Sequence, residues 1–382
     1  MRHSKTTKET PGVPAARGYR MPAEWEPHAA TWLSWPRRGG ISFPGKSSYD
    51  KAMEAIARMV HALADSEPVN INVCDAAHEA DVRRILSKAG ASAGHVTFHH
   101  IATNEPWCRD HGPIFVTRPE DPKLLILDWG YNAWGFKYPP FDDDDYVPTA
   151  VAGKLGLPVE YPGMILEGGS IDVNGSGLLL TTRSCVLNPN RNPDLTQAQI
   201  EARLRDFLGV REILWLGDGI EGDDTDGHVD DIARFISEDA IVCAFEEAED
   251  DRNYEPLKAN YEYLAGLTTA AESGPVPGED DAGADDEPAD AEDGLPARFE
   301  VIKLPMPRKI VRDGQRLPAT YVNFYIANKV ILLPVFADTN DRWAVAILER
   351  SFPGRKVVPI DCRELIWGLG AFHCLTQQQP AV

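Results

Sequence analysis

Apolar residues along this chain keep two rhythms, and the two alternate. Residues 30–35, Ala-Thr-Trp-Leu-Ser-Trp, form an apolar run that stops at Pro36, which predicts a buried strand. Met53, Ile56, Ala57, Val60 and Leu63 then fall on one face at helical spacing, with Ser47 or Ser48 placed to cap the helix and Pro68 to end it. Val69, Ile71 and Val73 alternate as a strand. The succession of helix, short strand and loop then returns: helix 78–89 with strand 95–101, 145–155 with 158–161, 196–208 with 212–216, 254–267 with 299–304, and 340–351 with 356–360.

Apolar strand pairs lie between these units: 114–116 with 124–127, 171–173 with 178–181, 232–236 with 241–244, and 321–326 with 330–333. Asn174-Gly175-Ser176-Gly177 is a hairpin signal inside the second pair. An open doubly wound sheet would account for helix–strand alternation, but antiparallel pairs within each unit count against an all-parallel sheet. About five such modules predict an α/β fold arranged around an axis, with the loops that follow the strands meeting at one end. Those loops hold the distinctive polar residues, in Trp107-Cys108-Arg109-Asp110, Glu167-Gly168-Gly169, 224–230 and 368–374; the loop at 305–308 offers Arg308.

A length of 382 residues with 43% hydrophobic and 25% charged positions belongs to a globular chain with ample core. No apolar run approaches the ~18 residues of a spanning helix. Residues 1–20 are polar and lack a signal-peptide stretch. The expectation is a cytoplasmic protein with a flexible N-terminal tail over 1–20 and a single domain over 21–380, away from membranes. The net charge of −21 is partly local, because 259–297 contains eleven acidic residues and no Lys or Arg, which leaves −10 for the rest. Within that stretch 273–296 has almost no apolar residues and is expected to be a disordered acidic insertion. An acidic balance argues against a nucleic-acid partner and is compatible with a cationic one. Assembly into a homo-oligomer is left open.

The six cysteines form no C-x-x-C pair, so neither a zinc knuckle nor a thioredoxin motif is suggested. Several lie in strand-like apolar runs and read as small buried hydrophobes. Cys374 differs, lying between a glycine-bearing apolar run and Thr376-Gln377-Gln378. The densest polar cluster is 223–231. In it His228 is suited to acid and base work near neutral pH, and Asp230, two residues on, points to the same side of an extended segment. The Asp-x-Asp spacing also resembles a calcium loop, but its twelfth place is Arg234 rather than Glu. Asp110 beside Arg109 also reads as an ordinary salt bridge near a turn, and Glu167 as an acceptor for backbone donors. A Cys–His pair attacks electrophilic carbon. Several carboxylates around it would oppose an anionic intermediate but match the donor fork of a planar guanidinium. They would also raise the thiol's pKa, a penalty that a bound cation offsets.

Trp107-x-Arg109-Asp110-x-Gly112-Pro113, Leu166-Glu167-Gly168-Gly169-Ser170, 188–193 (Asn-Pro-Asn-Arg-Asn-Pro), Thr225-Asp226-Gly227-His228-Val229-Asp230 and His373-Cys374-x-Thr376-Gln377-Gln378 resemble the agmatine deiminase family, which groups with bacterial-type peptidyl-arginine deiminases among the guanidine-modifying penteins. Residues 21–28, Met-Pro-Ala-Glu-Trp-Glu-Pro-His, resemble that family's start. The resemblance implies a pentein-type five-module α/β propeller with pseudo-fivefold symmetry, forming one catalytic domain. It implies a hydrolase that converts agmatine and water to N-carbamoylputrescine and ammonia, with no metal or organic cofactor. Cys374 would attack the guanidinium carbon, and His228 would protonate departing ammonia and then activate water. Asp110 and Asp230 would hold the guanidinium nitrogens, with Glu167 behind His228 and Trp107 along the aliphatic arm. Gly368-Leu369-Gly370-Ala371-Phe372 departs from the family's glycine run, which keeps free or peptidyl arginine open as substrate, with Arg308 a candidate for its carboxylate. An amidinotransferase and a non-catalytic acidic or calcium-binding protein are the remoter alternatives.

Overall fold

The computed structural model describes residues 12–90, 93–267 and 299–382. The expected acidic insertion at 273–296 lies outside them. Four three-stranded sheets share one plan, in which an antiparallel pair is extended by a parallel strand reached through a helix. They are Ile114–Thr117, Leu124–Leu127 and Val159–Glu160; Ile171–Val173, Leu178–Thr182 and Glu212–Leu216; Ala233–Phe235, Ala240–Phe245 and Glu300–Pro305; and Tyr325–Ile326, Val330–Val335 and Lys356–Asp361.

The remaining large sheet has four strands and joins the two ends of the chain. Thr376–Pro380 pairs antiparallel with His28–Ser34, which runs parallel to Val69–Val73, and that strand runs parallel to Val96–His100. Thr31 lies opposite Gln378 and Leu33 opposite Thr376, so the strand leaving Cys374 is fixed by the strand that opens the first unit.

Local sequence explains the crossovers. Met53, Ile56, Ala57, Val60 and Leu63 of Lys46–Ala64 are all buried, as their spacing predicts. Gln197–Leu208 is bounded by a capping box between Thr196 and Gln199 and by Gly209 at φ 68°, and it buries Ile200, Leu204 and Leu208. The strand Leu178–Thr182 is buried along its whole length, as a strand covered on both faces must be.

Three differences from the sequence expectation bear on the site. Residues 12–20 are folded: Tyr19 is buried, and Arg20 exchanges backbone hydrogen bonds with Thr117. The strand expected over 321–326 is reduced to Tyr325–Ile326, because Thr320 and Asn323 direct their side chains to Asp231 instead. A further hairpin, Ile310–Arg312 with Gln315–Leu317, turns at Asp313-Gly314 with φ of 51° and 80° and stands apart from the larger sheets. Among the described residues no helix is long and apolar enough to cross a membrane.

Candidate active site

The loops after the parallel strands bring the predicted residues together. Asp110 lies in the short helix Cys108–His111 and Glu167 precedes the turn Gly168–Ser170. His228 precedes the turn Val229–Asp231, and Cys374 lies in Phe372–Leu375. All five candidate side chains, Asp110, Glu167, His228, Asp230 and Cys374, are buried. A cavity of about 270 Å³ opens over Cys374 and Asp110, with Trp107, Trp134 and Trp367 in its wall.

His228 stands among three carboxylates. Its Nδ1 is 3.6 Å from Asp110 and 4.0 Å from Asp230, and its Nε2 is 4.0 Å from Glu167. Neither ring nitrogen has a hydrogen-bond partner among the described residues. Burial disfavours the imidazolium, but the Asp110 carboxylate, Cys185 and Asp230 outweigh it and hold His228 well above its ordinary value. The approach is close enough to exclude any side chain at Gly169, where a Cβ would lie 2.5 Å from His228 Nδ1 and 2.7 Å from Asp110 Oδ1. Gly169 also donates its N–H to Asp110 Oδ1 at 3.1 Å.

Burial pushes the Asp110 carboxyl up to about 7, against the pull of His228. Its second oxygen accepts from Trp134 Nε1 at 3.0 Å. Trp134 reaches it from a left-handed stretch, with φ of 51°, 55°, 88° and 64° from Ala133 to Phe136. For the non-glycine residues this backbone is costly and is imposed by its surroundings.

Asp230 behaves oppositely. Burial works against its charge, but the hydrogen bond and charge of His373, with His228 and Arg234, keep its carboxyl below the ordinary range. His373 Nδ1 is 2.6 Å from Asp230 Oδ2. The other oxygen, Oδ1, has no hydrogen-bond partner among the described residues. The thiol of Cys374 donates toward Oδ2 at 3.5 Å and accepts from Asn323 Nδ2 at 3.0 Å. No hydrogen bond joins it to His228. Burial, then Asp230, Asp231 and Asp110, hold this thiol well above its ordinary value.

Arg109 does not pair with Asp110. It donates to Glu24 at 3.0 Å and to Gln378 at 2.8 Å. Glu24 also meets Arg234 at 2.9 Å and His373 Nε2 at 2.8 Å. Burial opposes its charge, but Arg234, His373 and Arg109 keep Glu24 well below the carboxylate range. Glu167 Oε1 accepts from Arg191 Nε at 2.7 Å, and Arg191 continues to Asp226 at 2.5 Å and to the Thr225 carbonyl at 2.8 Å. Glu167, Cys185 and His228 bring one donor atom each within 4.8 Å of one another. The Arg191 guanidinium, 3.9 Å from Cys185, already supplies the cation there.

The other candidates fall as follows. Trp107 lines the cavity and donates from Nε1 to Ser42 at 3.0 Å. Arg308 is exposed and paired with Asp338 at 2.7 Å, outside the cavity wall. In 223–231, Asp223 accepts from Thr225, Gly227 and His228, Asp224 from Tyr138, and Asp226 from Asn190 and Arg191. These acids hold the loop to the protein rather than surround a common centre. Glu24, Trp134, Arg191 and Asn323 carried no role in the sequence reading; only Glu24 and Arg191 lay within motifs it quoted.

The Porphyromonas-type peptidyl-arginine deiminase family matches residues 20–278 and 280–380. Among curated relatives, the agmatine deiminase of Pseudomonas aeruginosa (strain LESB58) is 38% identical over 381 residues, 97% of each chain. Among solved structures, the agmatine deiminase of Enterococcus faecalis superposes with a TM-score of 0.83 at 31% identity, over 98% of this chain and 99% of that one. A C. jejuni agmatine deiminase with substrate bound gives 0.81 at 27%, over 98% of both chains. The pentein fold is thereby supported.

Proposed function

The chain belongs to the Porphyromonas-type peptidyl-arginine deiminase family, and from that premise we propose that it is an agmatine deiminase, a hydrolase of guanidino C–N bonds. Asp110 and the unpartnered Oδ1 of Asp230 take the guanidinium donors, which sets the central carbon against Cys374 Sγ. The Cys374 thiol gives its proton to solvent as the cation binds, the thiolate forms a C–S bond, and a C–N bond breaks as His228 gives a proton to the departing ammonia. His228 then takes a proton from water, which attacks the thiouronium carbon, and the C–S bond breaks to release N-carbamoylputrescine and the thiol. Agmatine and water thus balance N-carbamoylputrescine and ammonia. Glu167, held by Arg191, faces His228 from behind and orients it. Trp107 and Trp134 flank the aliphatic arm. We read residues 21–380 as one catalytic domain whose five larger sheets ring an axis, since loops from all of them reach the cavity or the thiol.

The observation that carries the choice of agmatine is the cavity wall. It contains Glu105, Asp110, Asp224 and Asp231 and, among the described residues, no Lys or Arg. A substrate cationic at both ends is matched, whereas an α-carboxylate would be desolvated without a partner. The test is turnover of agmatine, arginine, a peptidyl arginine and guanidinoacetate, with ammonia and ureido product both measured. Agmatine should exceed arginine in kcat/KM by about 100-fold or more. Equal or better turnover of arginine would overturn the assignment.

A further inference from the structure

The nucleophile is surrounded by groups that oppose its ionisation, with one exception. Asp230, Asp231 and Asp110 all disfavour a negative sulfur. The Asp230 contact is favourable only while the sulfur keeps its proton, because it is S–H that donates to Oδ2. Among the described residues the one donor aimed at Sγ is Asn323 Nδ2, at 3.0 Å.

The Asn323 amide has no freedom to turn away. Its Oδ1 accepts the backbone N–H groups of His373 at 3.1 Å and Cys374 at 3.3 Å, which fixes which end of the amide faces the sulfur. The second N–H of Nδ2 goes to Asp231 Oδ1 at 3.0 Å. Asn323 is itself 1% exposed, so no bulk water competes for these groups. The same side chain therefore sets the backbone of the nucleophile and caps its reacting atom. Asn323 is supplied by the unit whose loop had offered only Arg308.

We propose that Asn323 is a catalytic residue that holds Cys374 Sγ in its attacking orientation and stabilises the thiolate through Nδ2–H···S, with Asp231 locking the amide in place. The proposal rests on the deiminase reading for the identity of the reaction but not for the state of the free thiol. Burial and the neighbouring Asp230 push the Asp231 carboxyl well above its ordinary value.

The test uses the full chain as wild type, Asn323→Ala and Asn323→Asp. Iodoacetamide alkylation of Cys374 in the absence of substrate, followed by peptide mass across the thiol titration range, reports the thiolate directly. The sulfur gains a carbon, iodide leaves, and the thiol proton goes to solvent. A charge-assisted hydrogen bond of ordinary strength predicts an alkylation rate lower by about 10- to 100-fold in Asn323→Ala at neutral pH. Its pH midpoint should rise by about one unit or more. On agmatine, kcat should fall by a similar factor, with KM changed by less than about threefold. Should Asn323→Ala fail to fold, Asn323→Asp decides, since it retains the acceptor for both backbone N–H groups and sets a carboxylate oxygen against the sulfur. Its loss should be at least as large. An unchanged alkylation profile in a folded variant, even with reduced turnover, would overturn the proposal by leaving only a structural role. A wild-type protein inert toward agmatine would overturn the substrate reading instead, with the alkylation profiles still deciding on Asn323.

Discussion

The Asp230 oxygen that lies 2.6 Å from His373 Nδ1 is the one toward which the thiol of the next residue, Cys374, points at 3.5 Å. One short segment therefore both favours the charged form of the carboxylate proposed to hold the guanidinium and presents the proposed nucleophile to it. Removing the imidazole in His373→Asn should let the Asp230 carboxyl rise toward its ordinary range and weaken its hold on a guanidinium. The expected result is a KM for agmatine about 10-fold higher at neutral pH, measured against a kcat that changes less.

The Asp110 carboxyl, at about 7, sets the expected pH dependence. Only its ionised form binds a guanidinium, so kcat/KM for agmatine should rise as pH increases through that value. Trp134→Phe deletes the Nε1–H bond that favours the charged form. The rising limb should then move to higher pH and kcat/KM near neutrality should fall about 10-fold, given a charge-assisted hydrogen bond.

Glu24 joins two buried arginines and His373, so Glu24→Gln leaves Arg109 and Arg234 short of their counter-charge. A loss of about 3–5 kcal/mol in denaturant unfolding is expected, as for a buried pair broken from one side. The sign for acid follows from the depressed folded values of Glu24 and Asp230. Their contribution is complete above the ordinary carboxylate range and is lost as pH falls below it toward the folded values. Wild type should therefore lose stability on acidification more steeply than Glu24→Gln.

Gly169 permits an approach that no other residue allows. In Gly169→Ala the added carbon must displace His228 or Asp110. A shift of about 1 Å at reacting groups costs about 100-fold in rate, so kcat should fall at least that far while thermal unfolding shows a still cooperative protein.

Cys374→Ala should abolish ammonia release from agmatine. The substitution removes one small sulfur and its two hydrogen bonds from a buried site. The thermal midpoint should therefore stay close to wild type, which separates loss of chemistry from loss of fold.

Much of the architecture is written in local pattern. Helix 196–208 and strand 212–216 were predicted within one residue of Gln197–Leu208 and Glu212–Leu216, because capping, periodicity and Gly209 all lie within the segment itself. Asp313-Gly314 was an equally local signal, and it went unread between segments of mixed polarity. The Arg109–Asp110 salt bridge failed for a simple reason: neighbours along a helix point in different directions. Arg109 finds Glu24 85 positions away and Asn323 finds Cys374 51 positions away. No periodicity encodes such meetings. The five candidate residues were nameable because their motifs survive in sequence, but the groups that orient and charge them become visible only when the loops meet.

The pairing of His28–Ser34 with Thr376–Pro380 has a kinetic consequence. Partners such as Thr31 and Gln378 belong to opposite ends of the chain, and such distant closures form late when nothing local nucleates them. The strand that follows Cys374 is thus expected among the last to dock during refolding, which stopped-flow compaction measured beside regained turnover would check. Native-like compaction should precede the return of turnover, with partly folded chains structured but catalytically silent until the two terminal strands join.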